Sequence, residues 1–148
     1  MGFFKELGNL TKSLSGNLDA RVDQGLWFLK NGQTESAMNC FSSASLKGHP
    51  NATRLWGELL IDHGIGHIDT LGGLVKLKKA ITIGSTFAEE SYTLYKNRSQ
   101  VIDLFALNDE KLDDFRSAVM AQPYKQIDDL DQRMLDKVID EIRQERDR

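Results

Sequence analysis

Small residues recur along this chain at two fixed intervals, and their recurrence restricts the folds open to it. One set is followed by matching residues 32 positions later: Ala20, Gly25 and Gly32 by Ala52, Gly57 and Gly64. A second set is followed 36 positions later: Ala44, Gly48 and Ala52 by Ala80, Gly84 and Ala88. The longer interval indicates a four-residue insertion between Gly64 and Ala80. Because Ala and Gly allow helices to approach closely, we interpret these residues as packing positions in stacked helix-turn-helix units.

The spacing of apolar residues predicts that the chain is all-α. Apolar side chains recur three or four positions apart, strand-like alternation is scarce, and only Pro50 and Pro123 interrupt the sequence. Eight segments carry the helical spacing: 3–14, 22–29, 38–46, 55–60, 74–81, 92–95, 112–119 and 127–142. The last segment is the clearest amphipathic helix, with acidic residues opposite its apolar stripe.

The first unit resembles a tetratricopeptide (TPR) repeat, and the second resembles the longer Sel1-type repeat. The TPR-like positions are Gly25, Phe28 (in place of Tyr), Ala37, Phe41 and Ala44. The Sel1-like positions are Ala52, Trp56, Gly57, Gly64, Gly66, Asp69, Ala80 and Gly84. The second unit departs from its pattern where Leu60 replaces an aromatic residue and Gly73 replaces an Ala. The resemblance covers roughly residues 19–98 and implies a short helical-repeat solenoid.

We expect one domain made of three segments. These are an N-terminal amphipathic helix (1–18), two clear repeats with a degraded third (19–107), and acidic C-terminal helices that cap the stack (108–148). The N-terminal helix is expected to cap the other end of the stack, with docking on a partner or a membrane as alternatives. Its charges, Lys5 and Lys12 against Glu6, are too few for firm adhesion to anionic lipid.

The resemblance also implies a function, because the first helices of such units line a concave groove that holds a partner peptide or domain. The chain is therefore expected to be a non-catalytic adaptor or scaffold. The groove residues carried over by position are Leu26, Lys30, Asn51, Arg54, Glu58, Asp62, Glu90, Leu94, Asn97 and Arg98. Trp27 and Trp56 are interpreted as core residues between units, with Trp27 alternatively an aromatic anchor for the partner. Val22 and Leu26 replace the Lys and Asn with which some relatives clamp a carboxylate.

No residue pattern predicts a metal, a nucleotide or another cofactor. His63 and His67 have metal-ligand spacing only if they share a helix, and two glycines interrupt HGIGH. The resemblance to a Sel1-type repeat implies that HGIGHIDTLGG is an inter-helix turn in which Asp69 caps the following helix. Its glycines lack the preceding strand and the following Gly-Lys-Ser/Thr of a phosphate loop.

Catalytic residues are not expected either. Cys40 lies in a predicted helix without a neighbouring base, so we expect a buried small apolar side chain rather than a nucleophile. Paired acids such as Asp113-Asp114 and Asp128-Asp129 point about 100° apart on a helix and do not face each other. We interpret them as solvated residues, with Asp128-Asp129 near a helix start, where the helix dipole favours acids.

The distribution of charge excludes one class of partner. Residues 1–85 carry nine basic and seven acidic side chains, and residues 86–148 carry ten and fifteen. This acidic C-terminal half argues against nucleic acid, which needs a basic surface. The single cysteine suits a reducing compartment, and no apolar stretch approaches the length of a membrane span, so we expect a cytoplasmic protein.

Besides an enzyme of unrecognised type, two alternative functions stay open at this point. The first is an immunity or anti-toxin protein that would cover a basic active site with acids such as Glu89, Asp103 and Asp114. The second is a self-assembling subunit, because the apolar stripe of the C-terminal helix has a spacing that could pair with a second copy to give a homodimer.

Overall fold

The computed structural model describes residues 17–122 and 127–148, and all regular structure within these ranges is helical. The elements in order are α1 (Leu18–Lys30), α2 (Thr34–Leu46), α3 (Pro50–His63), α4 (Gly66–Thr82), α5 (Ala88–Tyr95), α6 (Ser99–Ile102), a 3-10 helix (Asp103–Ala106), α7 (Asp109–Met120) and α8 (Asp129–Arg146). The all-α prediction is confirmed. The helix expected near the N-terminus lies outside the described residues, and α6 with its 3-10 helix was not expected.

The helices share two apolar cores. One core lies between α1, α2 and α3 and surrounds Phe41 and Trp56. The other is built around α4, which contacts α3, α5, α6, α7 and α8. The apolar stripe of α8, from Met134 to Ile142, is buried in this second core. The stripe therefore packs within the chain, and the charged face of α8 remains on the surface.

The recurring alanines occupy equivalent buried positions. Ala44 and Ala80, which are 36 residues apart, are both fully buried near the ends of α2 and α4. Ala52 and Ala88 are likewise buried, each in the first turns of the next helix. The packing role expected for these alanines is therefore correct.

The recurring Gly48 and Gly84 have a different role from the one expected. Their φ angles are +93° and +90°, and a Cβ atom built on either one would meet no atom within 4 Å. Each glycine follows the end of a helix and turns the chain toward the next. The interpretation of Gly48 and Gly84 as packing positions is therefore wrong, because left-handed backbone rather than close packing requires glycine at both.

A pair of glycines brings α3 and α4 into close contact. A Cβ atom built on Gly57 would lie 2.8 Å from the carbonyl oxygen of Gly73, and one built on Gly73 would lie 2.7 Å from that of Gly57. Real Cβ atoms do not approach other atoms so closely. The departure from the Sel1-like pattern at Gly73 thus has a physical reason, since an alanine would push the two helices apart.

The segment interpreted as a turn between α3 and α4 is shorter than expected. Helix α4 already begins at Gly66, so His67 and Asp69 lie in its first turn. The residue in the N-cap position is Ile65, whose backbone N–H donates to the Asp69 carboxylate at 2.8 Å. The Asp69 carboxylate therefore accepts a backbone N–H at the start of α4 from within the first turn of the helix. Asp69 is not the N-cap residue itself.

The start of α8 is fixed by reciprocal hydrogen bonds. Asp128 Oδ1 accepts from the backbone N–H of Asp131 at 2.8 Å, and Asp131 Oδ2 accepts from the backbone N–H of Asp128 at 3.1 Å. Burial opposes ionisation of Asp128, but the Asp131 N–H and the Lys79 ammonium outweigh it and lower the pKa of Asp128 from 3.8 to about 2. The expectation that Asp128-Asp129 marks a helix start is correct.

We expect Asp128→Ala to lower the free energy of unfolding by about 1 kcal/mol at neutral pH, because the cap of α8 is lost. The folded-state pKa of Asp128 is lower than its unfolded value, so this stabilisation is present above pH 4 and disappears as the pH falls from about 4 to about 2. Urea unfolding of both proteins across this pH range, followed by circular dichroism, measures the difference. If wild type and Asp128→Ala still differed in their free energy of unfolding at the lowest pH, the stabilisation could not be assigned to the ionised carboxylate of Asp128.

Candidate functional site

Several predicted groove residues lie along the contact between α3 and α5, which begins at the turn before α5. There Asn51 Oδ1 accepts hydrogen bonds from the Ser85 hydroxyl at 2.7 Å and from the Thr86 backbone N–H at 3.0 Å. One turn further along α3, Arg54 Nη1 donates to Glu58 Oε2 at 2.9 Å. The Asn51 amide therefore fixes the turn that leads into α5.

The same contact continues through the next turns of both helices. The Ser91 hydroxyl donates to Glu58 Oε2 at 2.6 Å, and the Tyr95 hydroxyl donates to Asp62 Oδ2 at 2.6 Å. Burial, followed by the hydrogen bond to Asp62, raises the pKa of Tyr95 above its ordinary value, so this hydroxyl stays a donor. The Arg98 guanidinium lies 4.7 Å above the Tyr95 ring, with its Nε atom 3.5 Å from Asp62 Oδ1. These side chains hold α5 against α3.

The remaining predicted groove residues are exposed. On α1 they are Leu26, Trp27 and Lys30, and on α5 they are Glu90 and Leu94. Asn97 lies in the turn after α5, where its side-chain amide donates to the Thr93 carbonyl at 3.2 Å. Trp27 is 57% exposed and Leu94 is 60% exposed. The predicted set is thus divided between residues that bond within the chain and residues that are free to meet a partner.

The two tryptophans differ in their surroundings. Trp56 is buried among α1, α2 and α3, as expected for a core residue. The core interpretation of Trp27 is wrong, because α1 packs on α2 through the face that contains Val22 and Gly25. Two residues beyond Gly25, Trp27 points about 200° away from that face. Only the alternative role for Trp27, as an aromatic anchor, is compatible with its exposure.

Phe87 was not recognised in the sequence, although it is 66% exposed and lies directly before α5. The buried side of α5 consists of Ala88, Ser91, Tyr92 and Tyr95. An aromatic residue outside this helical period was the signal that could have identified it. Phe87 is the N-cap residue of α5 and lies seven residues before Leu94, the other exposed large apolar residue of this segment.

A buried ion pair joins α4 to α8 and was also not recognised. Lys76 is 2% exposed and Asp131 is 0% exposed, and their Nζ and Oδ1 atoms are 3.0 Å apart. The Lys76 ammonium also lies 4.5 Å from the centre of the Trp56 ring. Burial lowers the pKa of Lys76, and Asp131 partly offsets this effect. The pair is enclosed between helices, so we assign it to the packing of α8.

A cleft next to Lys76 is lined by Leu60, Ile68, Gly72, Val75, Lys76, Val119, Gln122 and Ile127. The lining is mostly apolar and contains no histidine, cysteine, serine or carboxylate. The described part of this lining therefore offers neither a nucleophile with a base nor a pair of acids for proton transfer.

Other residues considered for chemistry are accounted for by the fold. Cys40 is buried as expected, and burial raises the pKa of its thiol, which disfavours the reactive thiolate. Among the described residues, no group of three or more His, Cys, Asp or Glu side chains is arranged to hold a metal ion. None of the helices in these ranges has the length and apolar character required to cross a membrane.

The acids considered for neutralising a basic partner lie on the surface. Glu89, Asp103 and Asp114 are exposed, on α5, the 3-10 helix and α7 respectively.

Comparison of the chain with protein-family models, curated proteins and solved structures gave no match.

Proposed function

We propose that this chain is a non-catalytic protein-binding module of TPR- or Sel1-like helical repeats. In this proposal α1, α3 and α5 are the first helices of successive units, and a partner peptide or domain binds across them. The recurring residues support the repeat assignment, because Ala44 and Ala80 share full burial and Gly48 and Gly84 share a left-handed conformation.

The observation that carries the proposal is the exposure of large apolar side chains on two of these helices. Leu26 and Trp27 on α1 and Leu94 on α5 are each more than 40% exposed. Buried aromatic and aliphatic anchors supply most of the energy at protein interfaces. Since α5 is held on α3 by three sets of hydrogen bonds, its exposed residues are presented on a fixed support.

Affinity purification from the lysate of the host organism tests the proposal. The bait would be wild type, the double variant Trp27→Ser/Leu94→Ser, or the control Ile65→Ser, which removes an exposed apolar side chain from the turn before α4. We expect wild type and the control to recover the same partner proteins. The double variant should recover at least about tenfold less of them.

Equal recovery by the double variant would contradict binding through α1 and α5. If the protein so retained were a basic enzyme, the alternative in which Glu89, Asp103 and Asp114 cover its active site would be favoured instead. Circular dichroism of all three baits checks that the variants keep the helical content of wild type.

A further inference from the structure

Phe87 has a backbone conformation that its side chain disfavours. Its φ angle is 64°, and within the described residues it is the single non-glycine residue with a positive φ. The left-handed region is strained for bulky residues and is adopted readily by Gly and Asn. Because the ring is 66% exposed, burial of the side chain does little to offset this strain.

The turn around Phe87 explains why the backbone is held in this way. The Ser85 backbone N–H donates to the Ala80 carbonyl at 2.8 Å, and the Thr86 backbone N–H donates to Asn51 at 3.0 Å. On the other side, the Phe87 carbonyl accepts the first hydrogen bond of α5, from the Ser91 N–H at 2.9 Å. The fold therefore requires a left-handed residue at this position, but nothing in the fold requires a phenylalanine.

Phe87, at the start of α5, and Leu94, near its end, are both exposed apolar residues. They are seven residues apart, which corresponds to about 10 Å along the helix axis. Glu90 lies between them in the sequence and four residues before Leu94, so it shares the side of the helix on which Leu94 lies; it is exposed and makes no ion pair with any described residue. We refer to Phe87, Glu90 and Leu94 as the α5 surface.

Three basic side chains lie near the α5 surface, and one of them, Lys96, has its ammonium 5.6 Å from the centre of the buried Tyr92 ring. The nearby guanidinium groups of Arg54 and Arg98 are already paired with Glu58 and Asp62. Glu90, together with the adjacent and exposed Glu89, is left without such a partner among the described residues. A binding segment that places a cation between two apolar side chains would complement this arrangement.

We propose that the α5 surface recognises a partner segment with two apolar side chains about 10 Å apart and a lysine or arginine between them. This inference rests on the proposed function and names the chemistry of the partner. Phe87 and Leu94 bind the apolar side chains, and Glu90 binds the cation. The backbone strain at Phe87 lowers the stability of the fold, and the aromatic ring that it keeps at the surface serves binding.

Selection from a displayed library of random peptides of about 16 residues tests this inference on the full chain. We expect the selected peptides to carry two apolar residues with Lys or Arg between them. Synthetic copies of these peptides should bind Phe87→Asn, Leu94→Ser and Glu90→Lys about tenfold more weakly than wild type, as measured by fluorescence anisotropy. The control Ile102→Ser, which removes an exposed apolar side chain from α6, should bind them as wild type does.

A stability measurement separates loss of contact from loss of folding. Asparagine tolerates the left-handed region, so we expect Phe87→Asn to raise the Tm by about 2–4 °C while binding is lost. A merely structural role for Phe87 predicts the reverse, a lower Tm with weaker binding as its consequence. A lower Tm in Phe87→Asn would therefore overturn the inference.

The outcomes also distinguish this inference from the proposed function. Selected peptides that bind Phe87→Asn as tightly as wild type but fail to bind Trp27→Ser would overturn the inference and leave the proposed function standing. An acidic residue between the apolar positions of the selected peptides would overturn the inference as well. A library that yields no peptide for wild type would count against both.

Discussion

Asp131→Asn is expected to lower the free energy of unfolding by about 3–5 kcal/mol, a large part of the total stability of a typical domain. The variant keeps the shape of the side chain and removes its charge. Lys76, which is 2% exposed, would then be an ammonium ion without its counter-charge 3.0 Å away. The Trp56 ring would remain as its neighbour, and a ring face replaces only part of the attraction of a carboxylate.

The pH dependence of this variant has a defined sign. Burial already lowers the pKa of Lys76 below 10.5, and loss of Asp131 lowers it further. Between the folded and unfolded pKa values the unfolded chain binds more protons, so the stability of the variant rises with pH through this window. Lys79 and Asp128, which also face the pair, stay in place. We therefore expect the difference between wild type and Asp131→Asn to become smaller in alkaline solution.

Urea unfolding followed by circular dichroism measures the loss. The matched control is Asp136→Asn on the same helix, whose half-exposed pair with Arg116 should contribute less than about 1 kcal/mol. In the double variant Lys76→Met/Asp131→Asn neither charge remains, and the amide oxygen of residue 131 can still accept from the Asp128 backbone N–H, so most of the lost stability should return. A loss as small as that of the control would show that the Lys76–Asp131 pair is not desolvated.

Features that depend on local spacing could be predicted from the sequence. The apolar residues of α8 fall three or four positions apart, so its buried stripe and its start near Asp128 were evident. The burial of Cys40 and of Ala44 was also foreseen, because neighbours within one or two turns determine which side of α2 is apolar. These contacts need no knowledge of distant parts of the chain.

Features that depend on distant partners could not be predicted. Lys76 and Asp131 are 55 residues apart, and each is indistinguishable in the sequence from an ordinary surface charge. Asn51 was expected to face a groove, but its partners in the turn before α5 lie more than 30 residues away. The left-handed backbone of Phe87 follows from those same contacts, so no sequence pattern indicated it.

Gly72 and Gly73 are neighbours in α4, and alanine is expected to have opposite effects at the two positions. At Gly73 a Cβ atom would lie 2.6 Å from Ile61 Cγ1 and 2.7 Å from the Gly57 carbonyl oxygen. The second contact is with backbone, so α3 and α4 must separate to relieve it. Gly73→Ala should therefore lower the free energy of unfolding by about 2–3 kcal/mol.

At Gly72 a Cβ atom would meet nothing within 4 Å. An alanine there removes conformational freedom from the unfolded chain and should raise the free energy of unfolding by about 0.5–1 kcal/mol. Urea unfolding of the two single variants measures both effects with the same chemical change one residue apart. If both variants were stabilised, α3 and α4 could not cross as closely as Gly57 and Gly73 require, and glycine at position 73 would lose its physical explanation.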